Sequence, residues 1–113
     1  MTATKVVDQT PVDPPEPPAG ASIGGNWEVI PEGYPDAGRV FRAIDWPGRW
    51  SEDRTAVAGV TGSQFADGGV YRFISLNIDD VTGKEISIDI TDRMALNIIS
   101  VLCPAITDWW KSR

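Results

Sequence analysis

Residues 70–90 read VYRFISLNIDDVTGKEISIDI, and apolar and polar residues alternate through both halves of this segment. The apolar side is formed by Val70, Ile74, Leu76 and Ile78 in the first half and by Ile86, Ile88 and Ile90 in the second. Period-two alternation is typical of a strand with one buried face, because successive side chains of a strand point to opposite sides. The pattern therefore predicts strands over 70–78 and 84–90 that share an isoleucine side.

The connection between these two strands predicts a hairpin. Gly83 fits the left-handed position that closes a short hairpin loop. A five-residue connection from Asp79 to Gly83 pairs Ile78 with Lys84. In this expected register the isoleucine side continues across both strands, which is what selection of a register by a buried face requires.

Weaker strand signals come earlier in the chain. Alternation and β-branched residues predict strands over 26–30, 39–46 and 55–61. Glycine, proline and other turn-forming residues predict loops over 31–38 and 62–69.

From Thr91 onward the period changes to that of a helix. Apolar residues recur at steps of three and four: Ala95, Ile98, Ile99, Leu102, Ile106 and Trp109. Thr91 or Asp92 suits the N-terminal cap, and Lys111 suits the negative end of the helix dipole. Pro104 falls on the polar side, and we expect a kink or a restart of the helix there.

These elements predict an α+β fold, a mostly antiparallel meander of about five strands packed on one C-terminal amphipathic helix. We expect the helix to cover the isoleucine side of the sheet, because neither apolar surface suits water. Ile88 and Ile99 are then expected to be buried between the helix and the sheet.

The first 25 residues differ in composition from the rest. Prolines stand at positions 11, 14, 15, 17 and 18, and glycines at 20, 24 and 25. Such a segment favours extended polyproline conformation and builds no core. We predict a proline-rich arm (residues 1–25), flexible or docked on a neighbouring molecule, and a single α+β domain over 26–113. Removal of the arm is expected to leave the melting temperature of that domain nearly unchanged.

Charge and length narrow the range of functions. The chain has 113 residues, a net charge of −6 and one cysteine. An acidic chain is poorly suited to nucleic acid, and no apolar run is long enough for a membrane span. The first twenty residues also lack the continuous apolar run of a secretory signal. We therefore expect a cytoplasmic protein, or a virion component, with neither nucleic acid nor membrane as partner.

No residue pattern points to catalysis. Asp79 and Asp80 lie in the predicted hairpin loop, where aspartates usually bond to nearby backbone. Cys103 has no histidine in the chain to activate it. We predict no catalytic residue, no metal site and no cofactor. If the protein bound a small ligand, Asp45, Asp79 or Asp89 would be its polar centre.

Aromatic residues are the better candidates for binding a partner. Trp46-Pro-Gly-Arg-Trp50 predicts a turn that holds Trp46, Arg49 and Trp50 near a loop tip, and Trp and Arg are enriched in binding hot spots. Alternatively, both rings fold back onto the core. On the second side of strand 70–78, Tyr71 and Phe73 are expected to lie with Phe41. Trp110 ends the helix beside Trp109, and only one of these two rings can point squarely inward. The candidate partner-binding residues are therefore Trp46, Arg49, Trp50, Tyr71, Phe73 and Trp110.

The leading hypothesis is a non-enzymatic protein that acts through protein–protein interaction or assembly, of which a viral accessory or structural component is one form. Its partner would be another protein or a second copy of the chain. Two alternatives stay open: a small acidic regulator or inhibitor that binds a cellular protein, and a small-ligand binder or enzyme.

Overall fold

The computed structural model describes residues 9–112. The described elements follow the order β1 (Ser22–Ile23), β2 (Glu28–Val29), β3 (Val40–Asp45), β4 (Arg49–Trp50), β5 (Ala56–Phe65), β6 (Val70–Asp79), β7 (Glu85–Ile90) and α1 (Asp92–Lys111). The strands form one sheet in the order β1-β3-β5-β6-β7, with β2 paired to β3 and β4 paired to β5. The predicted α+β class, an antiparallel sheet with one C-terminal helix, is confirmed. Among residues 9–112, no helix combines the length and the apolar character that crossing a membrane requires.

Within the described residues, the chain divides into two compact units. The first unit takes in the chain up to Pro47 together with Val60–Arg72. The second unit takes in Gly48–Gly59 and the chain from Phe73 onward, including α1.

The β6–β7 hairpin forms in a register two residues away from the predicted one. Ile78 pairs with Ile86, and Asp79 with Glu85, so the predicted pairing of Ile78 with Lys84 is wrong. The isoleucine side is preserved, because a shift of two residues keeps every side chain on its own face.

The cause of this shift is the side chain of Asp80. Its Oδ1 accepts hydrogen bonds from the backbone N–H of Thr82 (2.8 Å), the Thr82 hydroxyl (2.6 Å) and the backbone N–H of Lys84 (3.0 Å). The turn interpretation of this aspartate is thereby confirmed, and the turn lies one residue later than predicted. These bonds favour the ionised carboxylate and lower the pKa of Asp80, the Thr82 hydroxyl contributing most.

The β3–β5 pair forms the centre of the first unit. Phe41 lies opposite Phe65, and Arg42 opposite Gln64. Residues 62–65 were expected to be loop because glycine and small polar residues read as turn formers, but they pair with β3 instead. At Gly62 a Cβ would overlap the Tyr71 carbonyl and lie 2.8 Å from the Arg72 Cα. Only a glycine admits so close an approach of two backbones.

The described part of the proline-rich arm lies along this pair of strands. Arg42, which is buried, donates from Nη2 to the Pro15 carbonyl (2.7 Å), and Gln64 Nε2 donates to the Glu16 carbonyl (2.6 Å). Farther along, the Trp46 indole donates to the Ala19 carbonyl (3.0 Å). The arm was expected to be flexible or docked on a neighbouring molecule; in the structure, backbone carbonyls of its described part accept hydrogen bonds from buried polar side chains of the sheet. Residues 1–8 of the arm lie outside the described residues.

Helix α1 starts as predicted. The Thr91 side chain caps it by accepting from the Met94 N–H (3.1 Å), while Asp92 and Lys111 lie at the favourable ends of the dipole. The helix runs through Pro104 without a restart. Proline removes one backbone hydrogen bond, and the long helix tolerates that loss.

The burial of α1 differs from the expectation. None of its residues is buried, and only Ala95 and Ile98 are half-buried. Ile99 is 55% exposed and Ile88 is 38% exposed, so the prediction that both are core residues is wrong. A repeating apolar pattern identifies a face that avoids water, but it does not identify what covers that face.

Candidate interaction surfaces

Much of the exposed apolar surface of residues 9–112 belongs to α1. Eight large apolar residues of the helix are between 49% and 67% exposed: Met94, Leu96, Ile99, Val101, Leu102, Ile106, Trp109 and Trp110. At 3.6 residues per turn, apolar side chains cover about 220° of the helix circumference. A stripe of about 100° is enough for packing on one neighbouring surface. The helix therefore offers apolar surface beyond what one sheet can cover.

One part of this surface has a distinctive spacing. Leu96, Ile99, Cys103, Ile106 and Trp110 follow one another at steps of three, four, three and four residues. This set, which we call the outer seam, lies about a quarter-turn from the half-buried Ala95 and Ile98. Alternating steps of three and four residues are the pattern by which one helix packs along another. All five residues are exposed.

The charges of α1 balance. Asp92 and Arg93 lie in its first turn, and Asp108 and Lys111 lie near its end, so the helix carries no net charge. The rest of the chain therefore carries the whole net charge of −6. The apolar surface of α1 is thus set on an element that adds nothing to the acidity of the protein.

A second surface is a cleft of about 640 Å³ in the first unit. It lies on the face of β3 and β5 opposite to the arm, because Phe41 and Phe65 alternate with Arg42 and Gln64 along these strands. Its lining residues are Ile30, Pro35, Asp36, Arg39, Phe41, Ser63, Phe65 and Tyr71. The expectation that Phe41 and Tyr71 lie on a common surface agrees with this arrangement.

Arg39 is held at the edge of the cleft. Its guanidinium lies over the Phe65 ring, 3.7 Å from the centroid. It also approaches Asp67 Oδ2 at 3.2 Å and Asp36 Oδ1 at 3.7 Å. Such a stacked and paired guanidinium keeps one planar face fixed beside the aromatic rings.

Of the two tryptophans predicted near the tip of the Trp46–Trp50 turn, only Trp50 is exposed. Trp46 is half-buried, with its indole bonded to Ala19 and its ring against Gly20. The Trp46 ring thus contacts the described part of the arm. Trp50 is 55% exposed in β4, which pairs Arg49 with Ala58 and Trp50 with Val57.

Beside Trp50 lies a groove of about 250 Å³ in the second unit. Its lining includes Trp50, Arg54, Asn77, Asp79 and Glu85. The Arg54 guanidinium lies over the Trp50 ring, 4.9 Å from its centroid. The groove is smaller than the roughly 300–1,000 Å³ of a typical ligand pocket.

The loop that holds Arg54 is fixed by Asp53, whose Oδ1 accepts from the Thr55 hydroxyl (2.7 Å), the Thr55 N–H (3.1 Å) and the Ser51 hydroxyl (2.9 Å). These bonds lower the pKa of Asp53, the Thr55 hydroxyl contributing most.

The remaining candidates lie in different settings. Tyr71 is 59% exposed at the cleft, Phe73 is half-buried in β6, and Trp110 is exposed on the outer seam. Of the acidic residues, Asp45 accepts a hydrogen bond from the Thr61 hydroxyl (2.8 Å), and Asp79 lines the small groove. Among residues 9–112, no three cysteine, aspartate or glutamate side chains lie close enough to hold a metal ion.

In comparisons with protein-family models, curated protein sequences and solved structures, the chain matches none of them.

Sequence reasoning did not single out the outer seam. It named Trp110 but placed Ile99 and Ile106 in a core stripe. The spacing of the outer seam could have revealed it. Leu96, Ile99, Cys103, Ile106 and Trp110 form a second apolar stripe beside the stripe that was assigned to the core. Two stripes on one helix offer more apolar surface than packing on one neighbour uses.

Proposed function

We propose that this chain is a non-enzymatic interaction or assembly protein, and that the apolar side of α1 is its contact surface. The observation that carries the proposal is the exposure of eight large apolar residues on a helix with no buried residue. Such a helix is stabilised chiefly by packing of its apolar face rather than by intrinsic propensity.

The size of the surface supports this function. The eight residues expose on the order of 900 Å², taking roughly 150–250 Å² as the full surface of one large side chain. The largest apolar patch of a typical monomer is only about 300–600 Å². A standard protein–protein interface buries about 800 Å² on each partner, so α1 alone supplies enough surface for one.

Site-specific photo-crosslinking in the native host tests the proposal. With Ile99 replaced by p-benzoylphenylalanine, irradiation is expected to yield a discrete adduct with a protein, because position 99 lies inside the contact. The same replacement at Asn97, on the polar side of α1, is the matched control and is expected to yield none. Mass spectrometry identifies the adduct. Absence of any protein adduct at position 99, with the variant folded, would contradict the proposal.

The cleft of the first unit favours a second candidate function, the binding of a small or extended ligand. Its volume of about 640 Å³ falls in the range of known ligand pockets. Phe41, Phe65 and Tyr71 supply apolar walls, and Arg39 supplies a fixed planar cation. Tyr71→Ala is the change that would weaken such binding without touching α1.

A further inference from the structure

We infer that the side of β3 and β5 that holds the described part of the arm is a binding site for extended proline-rich segments, and that the arm is its occupant within the chain. A proline-rich segment of a different protein takes the place of the arm when it binds there. The site belongs to the first unit and does not depend on the contact proposed for α1.

The donors of this site address the backbone of the arm. Arg42 and Gln64 donate to the carbonyls of the neighbouring residues Pro15 and Glu16. The Trp46 indole donates to a third carbonyl, at position 19. An extended proline-rich chain has no internal hydrogen bonds, so its carbonyls are open to such donors. These three hydrogen bonds fix the path of the segment without requiring particular side chains.

The spacing of the donors matches an extended segment. Trp46 directly follows β3 and stands four residues after Arg42, a distance of about 13 Å at 3.3 Å per residue. From Pro15 to Ala19 the arm also advances four residues, about 12 Å at the 3.1 Å per residue of polyproline conformation. The arm and β3 therefore run side by side in the same direction, with carbonyls and donors in step.

Prolines supply the side of the arm that is turned away from water. Pro15, Pro17 and Pro18 are half-buried, whereas Pro14 and Glu16 are exposed. Polyproline conformation has three residues per turn, so Pro15 and Pro18 lie on the same side of the segment. Pairs of prolines at this spacing are what aromatic-lined grooves recognise in proline-rich ligands. The ligand class of the site is therefore a segment with prolines three residues apart.

The donors are held in place by residues outside the arm. Arg42 and Gln64 lie opposite each other in the β3–β5 register, and Arg42 donates from Nε and Nη2 to Gln64 Oε1. The Arg42 guanidinium also lies over the Trp27 ring, 4.5 Å from its centroid. Because none of these contacts involves the arm, the site stays formed when the arm leaves, and a ligand does not have to order it.

Every copy of the chain holds its own arm in this site. The arm reaches the sheet through a turn in which the Ala21 N–H donates to the Pro18 carbonyl (3.0 Å) and Gly20 adopts a φ of +80°. Attachment keeps the arm at an effective concentration on the order of millimolar beside the site. The arm of a second copy makes the same contacts without this advantage, so the competing occupant is a segment of a different protein that fits more closely.

Titration of the full isotope-labelled chain with a synthetic peptide of residues 9–20, QTPVDPPEPPAG, tests the site. The reporter is the nuclear magnetic resonance signal of the Trp46 indole N–H. In Pro15→Gly/Pro18→Gly the arm loses two half-buried rings and gains chain entropy, so its competition weakens. We expect this variant to bind the peptide at least about tenfold more tightly than the wild-type chain does.

Val12→Gly/Pro14→Gly is the matched control, because it introduces two glycines at exposed positions of the same arm. Its affinity for the peptide is expected to stay within about threefold of the wild-type affinity. A second peptide, with glycine at all five proline positions, is expected to leave the indole signal unmoved in every chain. Equal shifts by the two peptides would show that proline is not recognised and would overturn the inference.

Three further outcomes would also overturn it. The first is a Pro15→Gly/Pro18→Gly chain, folded by circular dichroism, that does not bind the proline peptide, since the arm would then be a fixed part of the fold. The second is an indole signal that is the same in this variant as in the wild type before any peptide is added, since the prolines would then not hold the arm. The third is a wild-type chain that sediments as a dimer and a variant that sediments as a monomer, since the arm would then occupy the site of a second copy.

Discussion

Gly62→Ala is expected to lower the free energy of unfolding by about 3 kcal/mol or more. The added Cβ would overlap the Tyr71 carbonyl and lie 2.8 Å from the Arg72 Cα, and both neighbours are backbone atoms held in the sheet. A flexible side chain could move aside, whereas this backbone can move only by giving up strand pairing. Urea denaturation followed by tryptophan fluorescence measures the change.

Gly25→Ala is the matched control for this prediction. Gly25 belongs to the same unit, and an added Cβ there meets nothing within 4 Å. The change is expected to cost less than about 0.5 kcal/mol. A comparable small loss at Gly62 would show that the two backbones are not closely apposed.

Gln64→Leu is expected to destabilise the protein by about 3 kcal/mol. Gln64 Oε1 accepts from Arg42 Nε (3.0 Å) and Nη2 (2.8 Å), and its Nε2 donates to Glu16. Leucine preserves the volume but leaves a buried guanidinium without two of its bonds. Thermal denaturation measures the loss, and Ser63→Ala, on the opposite face, is expected to change stability by less than about 0.5 kcal/mol.

A second substitution shows whether the buried charge causes this loss. Gln64→Leu/Arg42→Met removes the guanidinium together with its acceptor, and is expected to be more stable than Gln64→Leu alone. If the double variant were less stable by the sum of two independent losses, Arg42 and Gln64 would not act as a pair.

Local patterns were sufficient to predict the elements that dominate the fold. Alternation located β3, β6 and β7, and the three-and-four period located α1 with its cap at Thr91. The hairpin register could not be predicted, because it depends on three hydrogen bonds to one side-chain oxygen of Asp80. Strands β1 and β4 have two residues each, too few for any alternation to be visible.

The position of the proline-rich arm could not be predicted from local patterns at all. Its carbonyls meet Arg42 and Gln64 across separations of 27 and 48 residues. In the sequence alone, Arg42 and Gln64 cannot be told from exposed polar residues, because their partners are far away in the chain. A buried polar residue requires a partner, but the sequence does not state from which segment the partner comes.

The candidate surfaces were only partly predictable. Aromatic content pointed to Tyr71 and Trp110, which the structure leaves exposed, and also to Trp46, whose indole is engaged by the arm. The cleft could not be predicted, because it depends on the register that places Phe41 of β3 opposite Phe65 of β5. The exposure of the apolar side of α1 was not predicted, because that side was expected to be buried against the isoleucine side of the sheet.

The reaction rate of Cys103 with a maleimide is the most direct measurement of whether the outer seam of α1 is a contact surface. Cys103 is exposed in the single chain and lies at the centre of the outer seam. The proposed contact predicts that the rate falls at least about tenfold when a thiol-depleted extract of the native host is added, and that Ile99→Glu abolishes this protection. A rate that the extract leaves unchanged would contradict the contact function of α1.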